Sequence, residues 1–152
     1  MTALVALDTN ILVYAAGLND GLRFKAADAI RIALGPDRTL IATQVLGEFF
    51  NVLVGKFRQE RSFARRACEL WMQSATIRAP EANSFARAFE LATEQHFQIW
   101  DALILVTAAE AGCRILVSED MQHGFVHRGV TVVNPFAEPP HPLLADALRH
   151  AG

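Results

Sequence analysis

Short apolar runs alternate with longer stretches of helical periodicity along most of the chain. Ala3-Leu4-Val5-Ala6-Leu7 and Ile115-Leu116-Val117 are continuously apolar, as strands buried on both faces of a parallel sheet are. Residues 39–42, 76–79 and 130–133 read as further short strands. Between them, Ala26, Ala27, Ile30 and Leu34 recur at helical spacing and predict a helix over 23–34. Val45, Leu46, Phe49, Val52 and Leu53 make a broad stripe over 44–57, and Leu103, Ile104 and Ala108 define the inner face of 100–111. A short helix through Ile11, Leu12, Tyr14 and Ala15, and helices over 62–74 and 82–96, complete the series. Asp8 or Thr9, Thr43 and Ser62 are the expected caps, while Gly17, Gly35-Pro36-Asp37 and Gly112 are the expected stops. Asn134-Pro135 and Pro139-Pro140-His141-Pro142 mark a surface tail over about 136–152. With no internal repeat and no linker, this alternation predicts one domain over 1–152, an α/β sandwich around a mainly parallel sheet.

Composition agrees and narrows the chemistry. The 152 residues are 52% hydrophobic and 20% charged, enough for one substantial core and unlike a disordered chain. A net charge of −2 supplies no global basic field, so any contact with nucleic acid must come from a local patch or a metal site. Cys68 and Cys113 lack a paired metal or redox spacing and read as reduced, small hydrophobes. The apolar N-terminus has no basic n-region and is interrupted by Asp8 and Asn10, and no apolar stretch approaches the ~20 residues of a membrane span. A cytoplasmic protein with no membrane partner is expected.

Four carboxylates stand out by position. Asp8 ends the first apolar run, Asp120 follows the run ending at Val117, Asp101 lies in the first turn of a helix, and Glu48 sits inside the helix over 44–57 beside an apolar stripe. Singly, Asp8 and Asp101 are also explained as a helix cap and a first-turn acid, and Glu48 as a solvated position. Jointly they matter more, because chemistry in an open parallel sheet collects outside the carboxyl ends of the strands. Four acids gathered there would repel one another and raise each other's pKa unless a cation neutralised them. An all-oxygen set favours Mg²⁺ or Mn²⁺ over zinc, and such ions serve phosphodiester hydrolysis by activating water and stabilising the leaving oxygen.

These motifs, Leu7-Asp8-Thr9-Asn10 after a strand, Glu48 in a helix, Trp100-Asp101-Ala102-Leu103-Ile104 opening another and Val117-Ser118-Glu119-Asp120, resemble PIN-domain ribonucleases over nearly the whole chain. Within that family the chain is most similar to VapC-type toxins of bacterial toxin-antitoxin pairs. The resemblance implies a PIN-like three-layer α/β/α fold and a Mg²⁺- or Mn²⁺-dependent endoribonuclease. It assigns Asp8, Glu48 and Asp101 as core metal-binding carboxylates, Asp120 as the fourth, and Thr9, Asn10 and Ser118 as polar supports. The last motif departs from the common form: Ser118 replaces the usual Thr and Gln122-His123-Gly124 precedes Phe125, which leaves Glu119 as a substitute for Asp120. An RNA substrate, a cognate antitoxin and a homodimer are implied with it. An RNA-maturation nuclease and a catalytically silent binding module on the same fold are the rival readings.

Other features carry less. Lys56, Arg58, Arg61, Arg65 and Arg66 form a basic run in which Arg61, Arg65 and Arg66 are candidate RNA contacts, against a plain solvated face. Phe49, Phe50, Phe57, Phe63 and Trp71 are many aromatics for one helical hairpin, and read first as core and otherwise as a surface that packs on another chain. His123 and His127 are four apart, but Gly124 argues against a helix and hence against a zinc site. No GxGxxG, P-loop or GxSxG motif is present, and Asn10 stands where an aspartyl-nucleophile phosphotransferase would carry a second Asp.

Overall fold

The computed structural model describes residues 3–149. Strands β1 (Val5–Leu7), β2 (Thr39–Ala42), β3 (Thr76–Arg78), β4 (Ile115–Val117), β5 (Val126–His127) and β6 (Val130–Val133) form one sheet in the order β3-β2-β1-β4-β6-β5. All pairings are parallel except β5 with β6. Helices α1 (Thr9–Ala15), α2 (Gly21–Arg38), α3 (Thr43–Gly55), α4 (Arg61–Gln73), α5 (Ala82–Glu94), α6 (Ile99–Glu110) and α7 (Pro142–Arg149) cover it. Every residue of β1, β2, β4 and β6 is buried, which accounts for their apolar sequences, broken only by Thr39 and Thr131. Helix α6 is buried from Ala102 to Ala108, and its apolar residues run all round the helix because it lies in the core rather than on it.

From β1 the chain moves outward through β2 to β3, then returns to place β4 on the opposite side of β1. The gap between the carboxyl ends of β1 and β4 is therefore the topological switch point, where an open α/β sheet leaves a crevice. The Asp8 amide closes it from below by donating to the Val117 carbonyl at 3.0 Å.

Several local expectations need correction. Helix α4 starts at Arg61 with Glu60 at its cap position, so Ser62 is inside the helix, and Thr43 is the first residue of α3 rather than its cap. Gly35, at φ 65°, breaks the helical path of α2 as expected, but the chain re-enters a helical turn as far as Arg38. The two-residue strand β5 has no counterpart in the apolar pattern. The expected surface tail instead contains α7, which packs on α2 with Leu144 buried and takes the Arg38 guanidinium on the Ala147 carbonyl at 2.8 Å. Pro142 occupies its first position, where a missing amide proton costs nothing.

Candidate active site

Asp8 leaves β1 with an extended backbone, and its carboxylate accepts the Thr9 amide at 2.7 Å through Oδ1. Its other oxygen accepts the Ser118 hydroxyl at 2.6 Å, across the switch point from the end of β4. Ser118 Oγ in turn accepts the amides of Asp120 at 3.2 Å and Met121 at 3.3 Å. One hydroxyl thus fixes the first acid and the turn that carries the last. Ser supplies the same hydroxyl as Thr without a methyl group, and Ser118 is fully buried.

On α3, Glu48 receives the Thr9 hydroxyl at 2.7 Å, so the residue after the first acid positions the second. Asp101 enters from the first turn of α6, where the Gln98 side chain caps its amide at 3.0 Å. Asp8 is only 3% exposed. Burial, opposed by its hydrogen bonds from Ser118 and Thr9 and reinforced by the charges of Asp101 and Glu48, pushes its carboxyl up to about 7. Asp101 is pushed up to about 6 by burial and then by Glu48 and Asp120. Asp8, Glu48, Asp101 and Asp120 therefore act on one another electrostatically, and no cation side chain figures among the causes of either shift.

Glu119 is engaged elsewhere. Its two oxygens accept the Tyr14 hydroxyl at 2.5 Å and Arg23 Nε at 2.7 Å, and Arg23 stacks over the Phe136 ring at 4.9 Å. Of the two neighbouring acids, the exposed Asp120 is the one whose charge reaches Asp101. The Tyr14–Arg23–Glu119 cluster joins residues about a hundred positions apart and left no local mark in the sequence. Asn10 has both amide atoms, Nδ2 and Oδ1, buried without a partner two residues after Asp8.

Among the described residues, no three His, Cys, Asp or Glu side chains close into a ready-made metal cage. A hard cation that keeps several waters needs only one or two direct carboxylates, and the donor set here is all oxygen, with Asp8 and Asp101 uncompensated and raised in pKa. The residues fit such an ion better than they fit a rigid zinc site. His123 and His127 do not form one either: His123 accepts the Asn134 amide and faces His141, while His127 sits on β5 with Nε2 buried and unpartnered.

The basic run is dispersed. Arg65 pairs with Glu69 one turn along α4, Lys56 lies over Phe57, and Arg66 borders a groove of about 670 Å³ between α4 and the end of α1. Of the aromatics, the fully buried Phe49 lines that groove together with Phe63 and Trp71, beside Leu70, itself 63% exposed.

No curated protein matches the chain in sequence. Among solved structures, the VapC20 toxin of Mycobacterium tuberculosis, described as cleaving the sarcin-ricin loop, superposes with a TM-score of 0.63 at 16% identity, over 74% of this chain and 86% of that one. A toxin-antitoxin complex from Klebsiella pneumoniae gives 0.62 at 23% identity, over 87% and 98%. VapBC2 from Rickettsia felis, bound to a DNA fragment from its promoter, gives 0.57 at 19%, over 77% and 88%. The architecture is thus that of VapC structures, and the family model of the PIN domain matches residues 5–126: the chain belongs to the PIN-domain family.

Proposed function

We propose that this protein is the toxin of a toxin-antitoxin pair and an endoribonuclease dependent on Mg²⁺ or Mn²⁺. The observation that carries the reading is the pair of uncompensated carboxylates at the switch point, the buried Asp8 and the half-buried Asp101, raised to about 7 and about 6 beside Glu48 and Asp120. PIN-domain nucleases generally use divalent metal ions, and a chain that needed these acids only as helix caps would have no reason to bury one of them among the others. Asp8, Glu48, Asp101 and Asp120 would hold the ion, which when bound supplies a lowered pKa for the attacking water and positive charge for the departing 3′ oxygen. The chain's own part is positioning. Ser118 and the Thr9 amide keep both Asp8 oxygens oriented, Thr9 Oγ1 holds Glu48, and Gln98 fixes the first turn of α6 that presents Asp101. Asn10, unpartnered and buried, is suited to a hydrogen bond with a bound water or a phosphate oxygen.

The solved relatives that are toxin-antitoxin complexes support an antitoxin as partner. The groove lined by Phe63, Trp71 and Leu70 supports an apolar antitoxin segment or the homodimer contact. The function test is cleavage of a mixed RNA pool by the purified chain. Products are expected with Mg²⁺ or Mn²⁺ and none with EDTA; products in EDTA, or none with either metal, would reject the reading.

Arg61, Arg65 and Arg66 are proposed as weak phosphate contacts. Arg65 is already paired with Glu69 on an exposed surface, so the triple Ala variant is expected to lose only about 3- to 10-fold in RNA affinity at low salt, with the loss vanishing above about 0.3 M salt. Unchanged affinity at low salt, measured by filter binding, removes these residues from the RNA path.

A further inference from the structure

Trp100 stands apart from the rest of its helix. Residues Ala102 to Ala108 of α6 are buried, yet Trp100, immediately before Asp101, is 49% exposed, and its indole makes no ring contact or hydrogen bond among the described residues. Helical side chains lean toward the helix N-terminus, and Trp100 is the second residue of α6, so its indole lies over the helix end that carries Asp101. Its backbone immediately precedes that of Asp101, with consecutive Cα atoms about 3.8 Å apart, which places the residue at the rim of the acidic site.

The support beneath Trp100 is rigid on both sides. Gln44, one turn before Glu48 on α3, donates Nε2 to the Trp100 carbonyl at 3.0 Å. Three residues upstream, Phe97 packs edge-on against Phe125 with centroids 4.9 Å apart, and His96 turns the chain at φ 59°. The segment 96–101 is therefore held in place at each end while its largest aromatic surface is left open. An exposed indole on a backbone held at the rim of the acidic site suits a ligand with a flat aromatic face joined to a phosphate.

We propose that Trp100 is a stacking platform for the nucleobase flanking the scissile phosphate. The proposal rests on the ribonuclease reading and adds a substrate-positioning residue to it. Base–aromatic stacking is sequence-tolerant and requires the base to be splayed out, so a paired duplex cannot use the platform.

Two readouts separate this from a structural role and from failure of the nuclease reading. In cleavage of a single-stranded RNA pool with Mg²⁺, Trp100→Ala is expected to raise KM by about 5- to 100-fold with kcat within about threefold of the parent, while Trp100→Phe recovers most of the loss. In the Asp8→Asn chain, which should not cut, RNA is expected to quench tryptophan fluorescence, and the further change Trp100→Phe to abolish that quenching. Quenching without cleavage by the parent chain would leave the platform standing and reject the nuclease. Cleavage with an unchanged KM in Trp100→Ala, or quenching that appears only with a protein partner or with self-association, would overturn the platform.

Discussion

Asp8→Asn is expected to lower RNA cleavage by on the order of 100-fold or more and, in the same molecule, to make the metal-free fold more stable above pH 7. The two effects share one cause. Asp8 is 3% exposed and its carboxyl titrates at about 7 against an ordinary 3.8, so ionising it in the folded chain costs about 4 kcal/mol when no cation is present. Asparagine removes that charge. It retains one oxygen for the Ser118 hydroxyl and forfeits one of the two hydrogen bonds the carboxylate accepts, a loss of about 1 kcal/mol. The net expectation at pH 8 in EDTA is a gain of about 2–3 kcal/mol, read from urea unfolding. A destabilised Asp8→Asn would make Asp8 an ordinary cap whose charge the fold welcomes. Retained cleavage would remove it from the chemistry.

Much of this site was legible because Asp8, Asp101 and Asp120 sit at or just past the ends of elements, while Glu48, inside α3, stood out beside an apolar stripe. Asp8 closes a continuously apolar run, Asp101 opens a helical one, and parallel sheets gather such ends on one side. The βα alternation and the family motifs led to the sheet and to the four acids for that reason. What was not legible depended on contacts between distant residues or on elements too short to have a period. Glu119 and Asp120 are adjacent and chemically alike, and only the arrival of Tyr14 and Arg23, from α1 and α2, distinguishes them. Strand β5 spans two residues, Val126 and His127, and owes its existence to pairing with β6 rather than to its own sequence. Helix α7 was hidden by the prolines before it, one of which begins the helix, while its reason for folding is a surface of α2 more than a hundred residues earlier. Glu60 displaced Ser62 as the start of α4 because a cap residue is a preference of about 1 kcal/mol that packing of Ala64 and Ala67 overrides.

The metal-free protein is expected to lose stability as pH rises from about 4 to 7, the reverse of ordinary acid unfolding. Asp8 carries a folded pKa above its unfolded value, so between the two the folded chain binds the extra proton, and stability falls with pH until the carboxyl has ionised in both states. Asp101 acts in the same direction with its midpoint at about 6, more weakly because it is only half-buried. His127 opposes them: burial lowers its pKa, so its contribution grows as pH rises toward 6.5. The part due to Asp8 is therefore the difference between the parent and Asp8→Asn, which should be near zero at pH 4 and approach its full value by pH 8. Mg²⁺ or Mn²⁺ should reverse the trend, since an ion that binds only the folded state stabilises it by mass action and must first displace those protons. Thermal unfolding across pH 5 to 8 with EDTA or with metal tests this: the rise in Tm on adding metal should be larger at pH 8 than at pH 5, and absent from Asp8→Asn. A rise of equal size at both pH values, or one that survives the substitution, would put the ion somewhere other than the switch point.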